Sequence, residues 1–420
     1  MATFDASIIT IGDELLIGQT IDTNSAFIAQ ELNKIGIWVR RRVAVGDAYD
    51  DIWAALDQER KYSKLVIITG GLGPTADDIT KPLLCNYFQG RMIVDENVLA
   101  HVKYLFEKVY RRPGPILERN LRQAEVPDVC KVLHNARGSA PGMWFDTPDA
   151  IFISLPGVPH EMKGLMNDQV IPRLLQLGEL PVVLHRTAFT AGMGESMVAE
   201  RIRDFEANLP AHISLAYLPN YGMVKLRLTS KGTDKDFLTK EIDDAFSNLL
   251  GQVQDILVSD QDEGMEIVLG KLLQGKGKTM GTAESCTGGY MAHLITSIPG
   301  SSAYFKGSIV SYANEVKQNL LGVSPGILEV NGAVSEETVR AMVTGALEQL
   351  QTDYVVVTSG IMGPGGGTAT KPVGLVWIGV GNKEKTEVLQ INLRLDRMRN
   401  ISVTAMNAMN LLRKFILTNS

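Results

Sequence analysis

KLVIITGGLGPTADDITK, residues 64–81, is the stretch whose reading decides the fold. Residues 64–69 form an apolar run that predicts a buried strand. Gly70, Gly71 and Gly73 follow at once, with Pro74 and Thr75, and a helical pattern comes next. A strand that passes through glycines into a helix marks the edge where ligands gather in open α/β sheets. Asp77 and Asp78 stand at the helix start, and two explanations of them are open. They cap the helix, or they hold a hard divalent cation beside a pyrophosphate.

Outward from this stretch the same alternation repeats. Residues 7–11 predict a strand, followed directly by Gly12, Asp13 and Glu14. Thr23 or Asn24 caps a helix with Ile28, Leu32 and Ile35 on one face and Gly36 as its stop. Residues 37–45 alternate like a strand that ends before Asp47, and residues 50–62 are helical. Strand and helix in turn predict a parallel sheet with covering helices.

A second strand-to-helix turn lies at residues 279–290, TMGTAESCTGGY. Ser285 and Cys286 sit side by side there, before Thr287, Gly288 and Gly289. Free backbone N–H groups at the helix start are expected to hold a phosphate or an oxyanion. A capped helix start with glycines for tight packing explains the residues equally well. Residues 311–317 carry Tyr312 and Lys317, and two explanations are open. A lysine whose pKa is lowered by burial can activate a serine without histidine, or Lys317 is a solvated helix residue and Tyr312 a ring at the edge of the core. Residues 354–358 predict a buried strand that opens into a further glycine-rich loop with Gly363, Pro364, Gly365 and Gly366. Two such loops and a nucleophile make a more discriminating set than either alone.

At 420 residues the chain exceeds one hydrophobic core. Residues 1–172, 173–257 and 258–420 read as three domains. The middle one reads as strand, helix, two strands and helix, with a single helix over residues 195–209. Hydrophobic residues at 45% and charged residues at 21% fit an ordinary globular composition, and a net charge of −6 leaves no broad basic field for nucleic acid. The three cysteines are too far apart for a disulfide framework or a zinc site. The first residues lack the basic and apolar segments of a signal peptide, and no run approaches the ~20 apolar residues of a membrane span. A cytoplasmic protein with no membrane partner is expected.

GGLGPTADDITK, together with GDELLIGQTIDTNS (12–25), NARGSAPGMWF (135–145) and SLPGVPHEM (154–162), resembles the molybdopterin-binding-type (MoaB/MogA-like) domain. In this variety it resembles the amino-terminal half of the competence/damage-inducible protein A (CinA) family. ESCTGG, SYANEVK, GAVSEET, SGIMGPGGG and KPVGLVW resemble the family's carboxy-terminal domain. The resemblance runs nearly end to end. It implies two three-layer α/β domains joined by a small α+β KH-like domain, and a homodimer.

The resemblance also implies two activities on small-molecule nucleotides. The last domain would hydrolyse the carboxamide of nicotinamide mononucleotide to nicotinic acid mononucleotide and ammonia, without a cofactor. Ser285 would be the nucleophile, assisted by Tyr312 and Lys317. Thr287, Gly288, Gly289, Ser301, Ser302, Gly363, Pro364, Gly365, Gly366 and Arg397 or Arg399 would bind the nucleotide. The first domain would cleave ADP-ribose to AMP and ribose 5-phosphate with magnesium, manganese or cobalt. There Asp77 and Asp78 would be catalytic and metal-binding, with Glu14, Asn24, Asp47, Gly70, Gly71, Gly73, Pro74 and Thr75 at the substrate. Cys286 remains a rival nucleophile, since a thiol at a helix start can have a lowered pKa. A nucleotide- or pterin-binding adaptor linked to competence or DNA damage, with one or both sites inactive, remains the alternative.

Overall fold

Along residues 6–11 the side chains alternate between two separate apolar clusters. Ala6 and Ile8 join one, Ile9 and Ile11 the other. Residues 65–68 do the same, with Leu65 and Ile67 on one side and Val66 and Ile68 on the other. A strand whose successive residues are buried on opposite faces belongs to a sheet covered on both sides. The computed structural model describes residues 4–75, 78–111, 114–178, 180–220 and 222–419.

The strands of the first region are β1 (Ala6–Ile11), β2 (Val39–Val45), β3 (Leu65–Thr69), β4 (Met92–Val94), β5 (Glu125–Pro127), β6 (Lys131–Leu133), β7 (Gly142–Asp146) and β8 (Ile151–Leu155). Six of them form one sheet in the order β2-β1-β3-β8-β7-β6, and β4 and β5 form a separate two-stranded sheet. The helices Thr23–Lys34 and Pro159–Leu165 supply Ile28, Leu32, Met162 and Leu165 to one face. The helices Tyr49–Tyr62 and Thr80–Tyr87 supply Ile52, Leu56, Leu83 and Leu84 to the other.

The sheet is mixed, which corrects the expectation of a parallel one. β2, β1, β3 and β8 run parallel, but β7 is antiparallel to both β8 and β6. The reason is local. Thr147 closes a tight turn onto Ala150 through its N–H and its hydroxyl, and so short a connection joins only antiparallel neighbours.

The middle region contains β9 (Val182–Ala191), β10 (Ile213–Asn220), β11 (Met223–Gly232) and β12 (Leu257–Ser259), in the order β10-β11-β9-β12. The helix expected over residues 195–209 is two, Glu195–Arg201 and Arg203–Ala207, broken at Ile202.

The last region carries β13 (Met280–Glu284), β14 (Phe305–Val310), β15 (Tyr354–Gly360), β16 (Leu375–Gly381) and β17 (Thr386–Asn392) in the order β14-β13-β15-β16-β17. β13 runs parallel to β14 and β15, while β16 and β17 are antiparallel additions. Val355 and Val357 face one cluster with the helix Glu336–Leu350, and Tyr354 and Val356 face the other with the helices Met265–Lys276 and Arg397–Thr418.

The chain divides into two units. One runs to His185 and includes Thr229–Ile242, and the other comprises Arg186–Leu228 and the chain from Asp243 onward. Among the described residues no helix is long and apolar enough to cross a membrane.

Candidate active site

In the first unit the predicted residues that the structure describes collect at one edge of the sheet. Ile11 pairs with Val45, and Thr69 pairs with both Thr10 and Leu155, so the carboxyl ends of β1, β2, β3 and β8 lie side by side. Glu14 follows β1, Asp47 follows β2, and the glycine loop follows β3. Asp47 accepts the Asp13 N–H at 3.0 Å, and the Asp13 carboxylate accepts the Asp47 N–H at 3.2 Å. Asn24 donates to the Thr69 hydroxyl at 3.1 Å and to the Gly157 carbonyl at 2.8 Å, tying the end of β3 to the loop after β8. Its Oδ1 is buried without a hydrogen-bond partner among the described residues.

Asp78 turns back onto the glycine loop. Its Oδ2 accepts the Thr75 N–H at 2.9 Å and the Thr75 hydroxyl at 2.5 Å. A Cβ built on Gly73 would stand 2.3 Å from that oxygen, so only glycine lets the carboxylate fold in here. Asp77 lies outside the described residues. Among the described residues no three His, Cys, Asp or Glu side chains group as metal ligands. The donor set fits a hard cation that keeps phosphate and water oxygens around it, with one protein carboxylate. Lys81 lies one helical turn on, buried, with its Nζ donating to the Gln123 carbonyl at 3.0 Å. Burial pushes its amine down to about 8.

In the second unit, Ser285 leaves β13 between β14 and β15, its N–H donating to the Thr358 carbonyl at 3.0 Å. Ser285 and Cys286 line a cavity of ≈ 170 Å³ together with Tyr312, Asn314, Lys317, Ser359, Met362 and Arg397. Lys317 is 1% exposed. Its Nζ donates to the Ser311 carbonyl at 2.7 Å and to the Tyr312 carbonyl at 3.2 Å. Burial lowers its pKa, outweighing the opposing pull of Cys286 and Glu315. Arg397 donates to the Gly363 carbonyl at 2.7 Å and to the Tyr312 hydroxyl at 3.2 Å, so one guanidinium joins the glycine loop to the phenol.

The thiol beside Ser285 is in the opposite condition to an activated one. Burial pushes Cys286 up to about 12, although Thr358 and Lys317 pull it down. It stays protonated near neutrality and is a poor nucleophile.

Three expectations need correction. First, the helix start after Ser285 is not free. The N–H groups of Gly289, Met291 and Ala292 all donate to Glu284, and Gly288 donates to the Ser285 carbonyl. Thr287 directs its hydroxyl to Glu284 and Thr358. These residues hold the turn together. Among the described residues, the N–H groups of Cys286 and Thr287 are the ones in this turn with no oxygen acceptor.

Second, Ser301 and Ser302 lie before β14, whose far end meets Glu284. Six strand residues at ~3.3 Å each put them about 20 Å away, at the opposite edge of the sheet. Third, Arg399 pairs with the helix-capping Asp396 at 3.3 Å, while Arg397 reaches the cavity. Of the loop 363–366, Gly363 offers its carbonyl to Arg397, and none of the four lines the cavity. The sequence reading passed over Glu284, Asn314 and Ser359. A lone carboxylate at the end of an apolar strand was the signal for the first of these.

Comparison with known proteins gives three family matches. Residues 7–176 match the model described as "Probable molybdopterin binding domain". Residues 185–257 match the damage-inducible protein CinA KH domain, and residues 262–416 match the CinA C-terminal domain. A CinA-like protein of Cytophaga hutchinsonii is 45% identical over 409 residues, covering 97% of this chain and 97% of its own. One of Flavobacterium psychrophilum is 45% identical over 415 residues, covering 99% of each. One of Chloroherpeton thalassium is 40% identical over 419 residues, covering 98% of this chain and 99% of its own.

Proposed function

The chain belongs to the CinA-like family, and from that premise we propose that it is a two-site nucleotide hydrolase. The cavity beside Ser285 removes ammonia from nicotinamide mononucleotide, and the glycine-loop edge of the first unit cleaves ADP-ribose. The observation that carries the first assignment is a serine sharing a small cavity with a lysine buried to 1% exposure and lowered in pKa.

The chemistry follows from these groups. Lys317, as the neutral amine, takes the Ser285 proton while Oγ attacks the carboxamide carbon, with the Tyr312 phenol assisting the transfer. The N–H groups of Cys286 and Thr287 receive the oxyanion, and one such donor is typically worth ~3 kcal/mol of barrier. Ammonia departs with the proton returned from Lys317. Water then cleaves the ester; the same amine accepts a proton from that water and returns it to the departing Ser285 Oγ, which restores the hydroxyl and the neutral lysine. Arg397 suits the nucleotide phosphate, because a guanidinium at the cavity wall keeps its positive charge and has N–H donors beyond the two that meet Gly363 and Tyr312.

This assignment makes an expectation about Cys286. A thiol held near 12 by burial resists iodoacetamide at pH 8, and treated protein keeps its ammonia release. Peptide mass mapping beside the activity assay checks this. Alkylated Cys286 with substrate-protected loss of activity would transfer the nucleophile's role to sulfur.

At the first site, Asp78 would hold a divalent ion against the pyrophosphate, and the bound ion would polarise the phosphoryl oxygens and lower the pKa of a water. The chain itself supplies the glycine loop, the Asp78 carboxylate fixed by Thr75, and Asn24 joining the end of β3 to the loop after β8. Asp78→Ala is expected to reduce AMP release from ADP-ribose by about 10²-fold or more, and chelation of the wild type should match it. Turnover that survives both treatments would contradict the site. The experiment that tests the reading as a whole is the stoichiometry of ammonia and nicotinic acid mononucleotide released by the wild type, unchanged by chelator.

A further inference from the structure

Glu284 is fully buried, and among the described residues its hydrogen-bond partners are hydroxyls and backbone N–H groups. Its Oε2 accepts the Thr287 hydroxyl at 2.8 Å, the Gly289 N–H at 3.0 Å and the Met291 N–H at 3.1 Å. Its Oε1 accepts the Ala292 N–H at 2.9 Å and the Thr282 hydroxyl at 3.2 Å. A carboxylate withdrawn from water is very costly unless its lone pairs are satisfied. Here five donors satisfy it, and they come from both sides of Ser285.

We propose that Glu284 is the positioning residue for Ser285, a proposal that rests on reading Ser285 as a nucleophile. An ordinary helix cap would stabilise the helix Tyr290–Thr296 from the residue that flanks its first turn. This carboxylate instead comes from the residue immediately before Ser285 and reaches over the turn to residues 287–292. The chain segment between its two attachments is Ser285-Cys286, so the serine is held in a closed loop.

Two consequences follow. Thr287 is fixed by Glu284 on one side and by the Thr358 hydroxyl at 2.8 Å on the other, and Thr358 also takes the Ser285 N–H through its carbonyl. Gly289, Met291 and Ala292 are withdrawn from any anion, which leaves the N–H groups of Cys286 and Thr287 as the donors beside Ser285. Glutamine cannot replace the carboxylate. Whichever way its amide is turned, an NH₂ faces an N–H group that needs an acceptor.

The test follows covalent labelling of Ser285 by a fluorophosphonate in the wild type, Glu284→Gln, Glu284→Asp and Thr287→Val. Unfolding and amide exchange are measured on each variant. In folded Glu284→Gln the amides of Gly289, Met291 and Ala292 should exchange faster, and labelling should slow by about 100-fold, the scale of misplacing oxyanion donors. Glu284→Asp, which restores a carboxylate one methylene shorter, should recover part of the rate. With nicotinamide mononucleotide, kcat should fall while KM holds.

Wild-type labelling by folded Glu284→Gln would overturn the proposal. Should that variant not fold, Thr287→Val decides, with slowing of about tenfold expected and an unchanged rate contradicting it. A wild type that labels at Ser285 yet releases no ammonia would sink the nucleotide reading and leave this proposal standing. A wild type that does not label there overturns both.

Discussion

Ser285→Ala is expected to lower ammonia release from nicotinamide mononucleotide by about 10⁴-fold or more, the scale seen when a nucleophile that acts as part of a unit is removed. The expectation depends on there being no second nucleophile in the cavity. Cys286 is the obvious substitute, and its thiol is held at about 12 by burial. The fold should be indifferent to the change. Ser285 Oγ makes no hydrogen bond to the described residues, and the turn is held by backbone groups and Glu284. Binding should persist as well, because Arg397 and the cavity wall are untouched. A variant that binds the nucleotide, melts with the wild type and does not turn over is the expected combination.

Lys317→Met should be nearly as damaging, and Lys317→Arg should not rescue it. Each is expected to lose about 10³-fold or more, since a guanidinium keeps the charge but cannot give up its proton near neutrality. Substantial activity in the arginine variant would mean that the charge, and not proton transfer, is what the site needs. The pH profile carries the same information. Burial holds the Lys317 pKa below its ordinary 10.5, and the base is the neutral form, so kcat/KM should rise with pH through that lowered value.

Stability moves with the same sign. Below the folded pKa the buried ammonium disfavours the native state. Between the folded pKa and 10.5 the unfolded chain binds more protons, so the wild type gains stability there relative to Lys317→Met. Thermal unfolding of both proteins across that window checks the direction.

Much of this architecture is legible in the residue order. Apolar runs that break into glycine and then helix locate the edges of both sheets, because both ends of that pattern are local chemistry. The convergence of Ser285, Tyr312 and Lys317 is legible for the same reason. Serine follows a strand end, and the other two follow the end of its parallel neighbour.

What escaped depends on strand direction and on hydrogen-bond partners. Ser301 and Ser302 resemble a binding loop, but they precede β14 and therefore occupy the edge opposite Ser285. Arg397 and Arg399 look interchangeable in sequence, yet residues two apart on a helix do not share a face. The hairpin from β7 to β8 rests on a Thr147 hydroxyl bond that no periodicity announces. Glu284 escaped because sequence gives a carboxylate no partners, whereas folding gives it five.

The central claim is an ester on the Ser285 oxygen. Rapid mixing of the wild type with nicotinamide mononucleotide, acid quenching and peptide mass spectrometry test it most directly. The account predicts a nicotinoyl-nucleotide ester on the peptide that contains Ser285, formed as ammonia is released and absent in Ser285→Ala. Steady turnover with the adduct on Cys286, or with no adduct under conditions that trap esters, would contradict it.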